Sequence, residues 1–188
     1  MKYYKKITLK DGTACVLRSG TEEDAPAVLR NFILTHGQTE FLTTYPDETS
    51  ITLEQEREYL RGKVESPFEV SLLAEVDGVV AGTAGVDRIG AAVKLRHRAS
   101  FGISIDEAWW GRGIGKALTE ACIECAAAAG YLQLELEVVA DNERALRLYR
   151  GAGFKEYGRN PKGFRTRDGR WQENVFMALD LEARAQKR

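Results

Sequence analysis

The sequence predicts one α/β domain whose sheet is mixed, mostly antiparallel and flanked by helices. Three observations carry that reading. The chain has 188 residues, the length of one ordinary globular domain. Two Asp-Gly pairs, Asp11-Gly12 and Asp77-Gly78, each stand between strand-like runs, the strongest short signal for an antiparallel hairpin. Beyond Gly113, apolar residues at helical spacing give way to strict alternation and then to helical spacing again.

Taken in order, Thr8 to Lys10 and Thr13 to Arg18 flank Asp11-Gly12, so the chain opens with a hairpin. Thr21-Glu22-Glu23-Asp24 resembles a capping box with Asp in place of Glu or Gln, and Ala27, Val28, Phe32 and Leu34 supply the apolar face of a first helix. Residues 36–51, with Gly37, Pro46, Asp47 and Ser50, break the period and form either a substrate gate or a plain connector. From Leu53 to Val64, Glu54, Glu56, Arg57, Glu58, Arg61 and Lys63 imply a surface helix with a wet face. Phe68 to Val76 and Val79 to Val86 make the clearest hairpin, and Leu95 to Ile105 continues it, Phe101, Ile103 and Ile105 alternating against Gly102 and Ser104. A helix from near Gly113 carries Ile114, Leu118, Ala121, Cys122 and Cys125 and stops at Gly130. Leu132 to Val138 alternates as a strand, Asn142 to Gly151 is a helix, and residues 154–159 form a strand. Asn160 to Gly169 is a polar Gly/Pro loop, and Val175 to Leu179 is the last strand. Neither a repeat nor a dividing linker interrupts residues 1–188, so they form a single domain.

Composition removes several function classes. Lys plus Arg (27) nearly balance Asp plus Glu (28), for a net charge of -1, which offers no field for nucleic acid or an anionic membrane. No apolar run approaches the roughly 18 residues of a membrane span, and the start lacks a secretory stretch. Three scattered cysteines suit a reducing compartment better than a disulfide framework, so a cytoplasmic protein is expected. Cys122 and Cys125 form a C-x-x-C, but His36 and His97, the only histidines, lie elsewhere; two core positions on one helical face, and no metal, are expected.

Trp109-Trp110-Gly111-Arg112-Gly113-Ile114-Gly115-Lys116 sets three glycines between a strand and a helix. Glycines let an anion approach the backbone, and the free N–H groups and dipole of a helix start favour negative charge. Arg112 and Lys116 would add counter-charge. The spacing is wrong for a P-loop, and Ala117 stands where its metal-coordinating hydroxyl would be. A dinucleotide fold would need a parallel unit, whereas the strands ahead read as an antiparallel meander; Glu135, at the spacing of a ribose-binding acid, keeps that reading open.

Trp110 to Gly115, followed by Val139-Ala140-Asp141-Asn142-Glu143-Arg144-Ala145-Leu146-Arg147-Leu148-Tyr149-Arg150-Gly151-Ala152-Gly153-Phe154, resembles the GCN5-related N-acetyltransferase (GNAT) superfamily, most closely over about residues 68–180. Trp110 stands where that family usually has Gln or Arg. The resemblance implies a GNAT-like fold, binding of acetyl-CoA, and direct acetyl transfer to a primary amine of a small molecule, peptide or protein N-terminus. It implies that Gly111, Arg112, Gly113, Ile114, Gly115 and Lys116 cradle the pyrophosphate and that Asn142 reaches the coenzyme. Tyr149, two turns after Asn142, would be the general acid toward the leaving thiolate, a role for which a phenol protonated at neutral pH is suited. A bulge within Phe101 to Ile105 would free backbone groups of Ile103, Ser104 and Ile105 for the pantetheine and the acetyl carbonyl. The base is sought among His97, Glu40 and Asp106. The basic run Lys94 to Arg98, with Arg88, would attract an acidic substrate or be a solvated face. Homodimers are common in that family. The rival readings are a non-catalytic acyl-CoA sensor and, with less support, a dinucleotide-dependent oxidoreductase.

Overall fold

Both Asp-Gly pairs turn as their chemistry dictates. Gly12 has φ +88°, and Asp77 and Gly78 have φ +50° and +78°, the left-handed pair that matches the twist of a tight hairpin. They join β1 (Tyr4–Thr8) to β2 (Ala14–Ser19) and β3 (Val70–Val76) to β4 (Val79–Arg88) in the computed structural model, which describes residues 1–185. Between the hairpins lie α1 (Ala25–Gly37) and α2 (Leu53–Glu65). There follow β5 (Arg98–Ile105), α3 (Ile114–Ala128), β6 (Gln133–Val139), α4 (Glu143–Ala152), β7 (Lys155–Arg165), β8 (Trp171–Asp180) and α5 (Leu181–Ala185).

The strands form one sheet in the order β1-β2-β3-β4-β5-β6-β8-β7. Among the described residues only β5 and β6 pair in parallel, because α3 carries the chain across between them. The sheet is therefore mixed and mostly antiparallel, as the sequence predicts. Central β3 is covered on both faces. Val70, Leu72, Ala74 and Val76 join Ile114, Leu118, Ala121 and Cys122 of α3 in the main core. Leu73 faces the other way, where Leu60 of α2 also lies. Cys122 and Cys125 are buried free thiols on α3, the core positions expected of them. Among the described residues no helix is long and apolar enough to cross a membrane.

Four expectations need correction. Helix α2 does not have a uniformly wet charged face, since Leu60 is fully buried and Glu56 and Lys63 are only 7% and 6% exposed. Strand β5 begins at Arg98, Val93–Leu95 forming a 3₁₀ turn instead. The polar loop Asn160 to Gly169 is mostly strand, because register shifts around residues 156–164 absorb Pro161 and Gly163 lies directly against buried Asn174. There is no bulge in Phe101 to Ile105: β5 pairs with β4 without a break from Gly82↔Ile105 to Arg88↔Ala99. The bulge lies in β4, where the pairs Ala74↔Gly82 and Glu75↔Val80 leave Ala81 as the extra residue.

Candidate active site

A cleft opens where the one parallel pair ends. Strands β5 and β6 are bonded only at Arg98↔Gln133, Ala99↔Leu134 and Ser100↔Glu135. Beyond these, β5 stays on β4 to Ile105 while β6 stays on β8 to Val139, so the strands part without a bulge. The direction of the freed groups follows from strand alternation. The His97 carbonyl accepts from Leu132 and Gln133 N–H on the β6 side, and Asp106 N–H donates to Ala81 O on the β4 side. Main-chain groups of Phe101, Ile103 and Ile105 therefore face the gap. The Ile105 carbonyl is taken by the Trp110 indole N–H at 2.7 Å, which gives Trp110 a local role in place of a charged side chain.

The glycine loop adds a set of donors. Gly111 and Gly113 have φ +81° and +104°, open to glycine at least cost, and Gly113 caps α3. The first bond within the helix runs from Ala117 N–H to Gly113 O at 3.1 Å, so the N–H groups of Ile114, Gly115 and Lys116 have no helical acceptor. A Cβ on Gly115 would lie 3.3 Å from Ile105 and 3.4 Å from Leu148, a close fit between the helix start, β5 and α4.

Across the gap, Asn142 starts α4, its Oδ1 accepting from Ala145 N–H at 3.1 Å. Two turns on, Tyr149 is 7% exposed and stands edge-on to Phe101, with ring centroids 6.0 Å apart. Burial pushes its phenol well above the ordinary value of 10.0, so it keeps its proton throughout the neutral range.

One cavity of about 900 Å³ gathers Ile103, Ser104, Ile105, Gly111, Gly113, Ile114, Gly115, Lys116, Asn142 and Tyr149. It also gathers Lys10 and Arg144, cations that the sequence reading did not select. Arg144 lies over the Trp110 ring at 4.6 Å, and its position beside Asn142 in the second motif was the available signal. Lys10 arrives through a tertiary contact, its N–H donating to Arg112 O at 3.0 Å, and nothing local announces it.

Other candidates stand elsewhere. The Arg112 side chain turns back to Asp11, at 3.0 Å, and over Trp109, so it does not line the cavity. His97 is exposed at the opposite, closed end of β5. The Glu40 carboxylate accepts from Tyr45 Oη at 2.8 Å, and Glu40 is not among the residues that line the cavity. Asp106 is occupied by Gln38 Nε2 at 2.8 Å and Ala108 N–H at 3.1 Å. Glu135 is bound by Arg98 at 2.7 Å and Gln133 at 2.8 Å, so it has no carboxylate to give a ribose; with antiparallel strands ahead of the loop, the dinucleotide reading falls. Among the described residues no group of three or more His, Cys, Asp or Glu could hold a metal.

The segment after α1 roofs the cavity with Thr39, Phe41, Leu42 and Thr43. It is pinned at its far side by Arg167, which lies over the Tyr45 ring at 4.1 Å and pairs with Asp47 at 2.5 Å. A second cavity, of about 630 Å³, lies between α1, α2 and the sheet and shares Gly102, Ile103 and Ser104 with the first. Glu56 is among the residues that line it.

Comparison with known proteins agrees with this geometry. The model of the acetyltransferase (GNAT) family matches residues 32–154. An L-amino acid N-acetyltransferase of Escherichia coli K12 is 33% identical over 108 residues, which is 57% of this chain and 65% of that relative, so the chain spans less than two thirds of its length. An acetyltransferase of the GNAT family from Streptococcus pneumoniae superposes with a TM-score of 0.85 at 26% identity, over 88% of this chain and 99% of that one. A Salmonella typhimurium structure containing acetyl-CoA shares the fold at a TM-score of 0.79 and 20% identity, over 89% of this chain and 94% of that one.

Proposed function

The chain belongs to the acetyltransferase (GNAT) family, and from that premise we propose that it transfers acetyl from acetyl-CoA directly to a primary amine of a small molecule or peptide. We take residues 1–188 as one such domain, with the coenzyme-binding core at about 68–180. The observation that carries the reading is that one cavity receives three things together: the unbonded N–H groups of the α3 start, the parted strands, and the protonated phenol of Tyr149.

The residues fit the acetyl donor. Helix-start amides from Ile114 to Lys116, backed by Lys116 and Lys10, would hold a diphosphate. Pantetheine would follow the gap between β5 and β6, using the main-chain groups of Phe101 and Ile103 and the Ile105 N–H; those of Ser104 face β4, so the expectation that its backbone serves the coenzyme is not supported. There the Ile103 N–H would donate to the thioester carbonyl oxygen as negative charge develops on it. The neutral amine nitrogen forms the new C–N bond to the acetyl carbon, the C–S bond breaks, and Tyr149 Oη gives its proton to the departing thiolate. The proton lost by the amine nitrogen passes to solvent or to an acceptor-side base, and the phenol is reprotonated from solvent.

Replacing Tyr149 by Phe tests the assignment. Turnover should fall by about 10²-fold or more, the usual worth of a positioned proton donor, while acetyl-CoA affinity measured by calorimetry changes little. Equal losses in both would make Tyr149 a packing residue. A panel of amines assayed for free thiol decides against the sensor reading; acetyl-CoA binding without thiol release from any amine would restore it.

A further inference from the structure

The second cavity meets the first at Gly102, Ile103 and Ser104, the point where main-chain groups of β5 face the gap. An amine entering from the α1–α2 side would thus reach the place where the preceding reading puts the acetyl carbonyl. Charge in this cavity is one-sided. Among the described residues its lining contains two acids, Glu56 and Asp87, one histidine, His36, and neither lysine nor arginine. Asp87 is answered from outside the lining by Lys63, which also stands 3.6 Å from Glu69 and over the Tyr59 ring. Glu56 has no such answer: it is 7% exposed, and its carboxylate makes no hydrogen bond or ion pair with the described residues. Burial raises the cost of charge on this carboxylate and pushes its pKa above 4.5, and a cation held beside it would offset that cost.

His36 does not supply positive charge. Its Nδ1 lies 2.7 Å from the Phe32 carbonyl, which can only accept, so Nδ1 carries the hydrogen. Burial pushes its pKa below 6.5 and leaves the ring neutral at pH 7. The remaining walls mix apolar residues, Val28, Leu29, Phe32, Leu42 and Ile51 among them, with the neutral polar side chains of Gln55, Ser71 and Thr83.

Resting on the acetyl-transfer reading, we propose that this cavity is the acceptor subsite and that Glu56 makes it selective for small, net-cationic amines with an apolar body over amino acids bearing a free carboxylate. An α-carboxylate would enter beside Glu56 with no cation to meet it. The same ligand with that group masked as an amide, or absent, keeps the favourable ammonium contact and loses the repulsion.

The test uses matched pairs on the intact chain: leucinamide against leucine, and phenethylamine against phenylalanine, with free-thiol release as the readout. The amide and the amine should exceed their amino-acid partners by at least about tenfold in kcat/KM. Calorimetry in the presence of coenzyme A should show leucinamide binding and leucine not. Glu56→Gln should raise the KM for leucinamide about tenfold or more and narrow the gap to leucine, with the acetyl-CoA KM within about twofold of wild type and no loss of melting temperature. Leucine used as well as leucinamide, or an unchanged leucinamide KM in the Gln variant, overturns the subsite and leaves the acetyl-transfer reading standing. The comparison of matched pairs needs no variant to fold. Absence of thiol release from every acceptor overturns both.

Discussion

The parallel strands β5 and β6 have two ends of opposite character. At one, Arg98 donates to both carboxylate oxygens of Glu135, Gln133 joins them, and the strands are hydrogen-bonded to each other. At the other, from Phe101 and Leu136 onward, the same strands have no bond between them, and each is held by its antiparallel neighbour instead. The closed end spends its polar groups inside the protein, and the open end leaves them to a ligand. A charged side chain on a strand therefore says little by itself about function; what matters is whether its hydrogen bonds are already taken.

Removing Arg98 should have the largest effect on this contrast. Glu135, 7% exposed in the intact chain, would lose its cation, and Arg98→Ala should cost about 2–4 kcal/mol in urea unfolding. An unchanged midpoint would mean that the strand hydrogen bonds alone close that end. The pair also has a pH signature. Arg98 holds the Glu135 carboxyl below its ordinary value of 4.5, so its contribution is complete above that pH and is lost as pH falls through the lowered folded value. Wild-type and Arg98→Ala unfolding midpoints should converge in acid and stay apart at pH 7.

At the open end, Gly113→Ala forces a side chain to φ +104°, a strain of about 1–2 kcal/mol. Acetyl-CoA affinity should weaken by about tenfold as the helix-start amides tilt, and calorimetry would show it. Trp110→Phe keeps the ring under Arg144 and loses only the donor to the Ile105 carbonyl, about 1 kcal/mol or roughly fivefold in the acetyl-CoA KM. The smallest effect belongs to Arg167→Ala. Its pairing with Asp47 is exposed, so stability should move by less than about 1 kcal/mol, and the acceptor KM should rise if the roof segment loosens.

What was legible in the sequence was what local chemistry decides. The Asp-Gly turns, the helix start after three glycines, and the spacing from Asn142 to Tyr149 each follow from conformational preference or helical period, and the structure has them. What was not legible depends on residues far apart in the chain. Glu56 and Lys63 look like a solvated face until α1 and the sheet cover them. The strands part through the loyalty of β5 to β4 and of β6 to β8, which no single segment encodes; a bulge at Gly102 was the local substitute for that non-local cause. His97, Glu40 and Asp106 are plausible bases by residue type, but their surroundings place them at the closed end or in bonds already made. Pro161 argued for a loop, and only the register shifts against β8 let the strand run past it.

The longer of the two edge strands, β7, has one side without a neighbour in the sheet. It carries Lys155, Glu156, Arg159, Lys162 and Arg165, contains Pro161, and breaks register with β8 twice. Such an edge is a poor template for fibril growth: an incoming chain would meet missing donors, uneven pleats and a row of hydrated ions, so the long outer strand is protected against amyloid-type stacking.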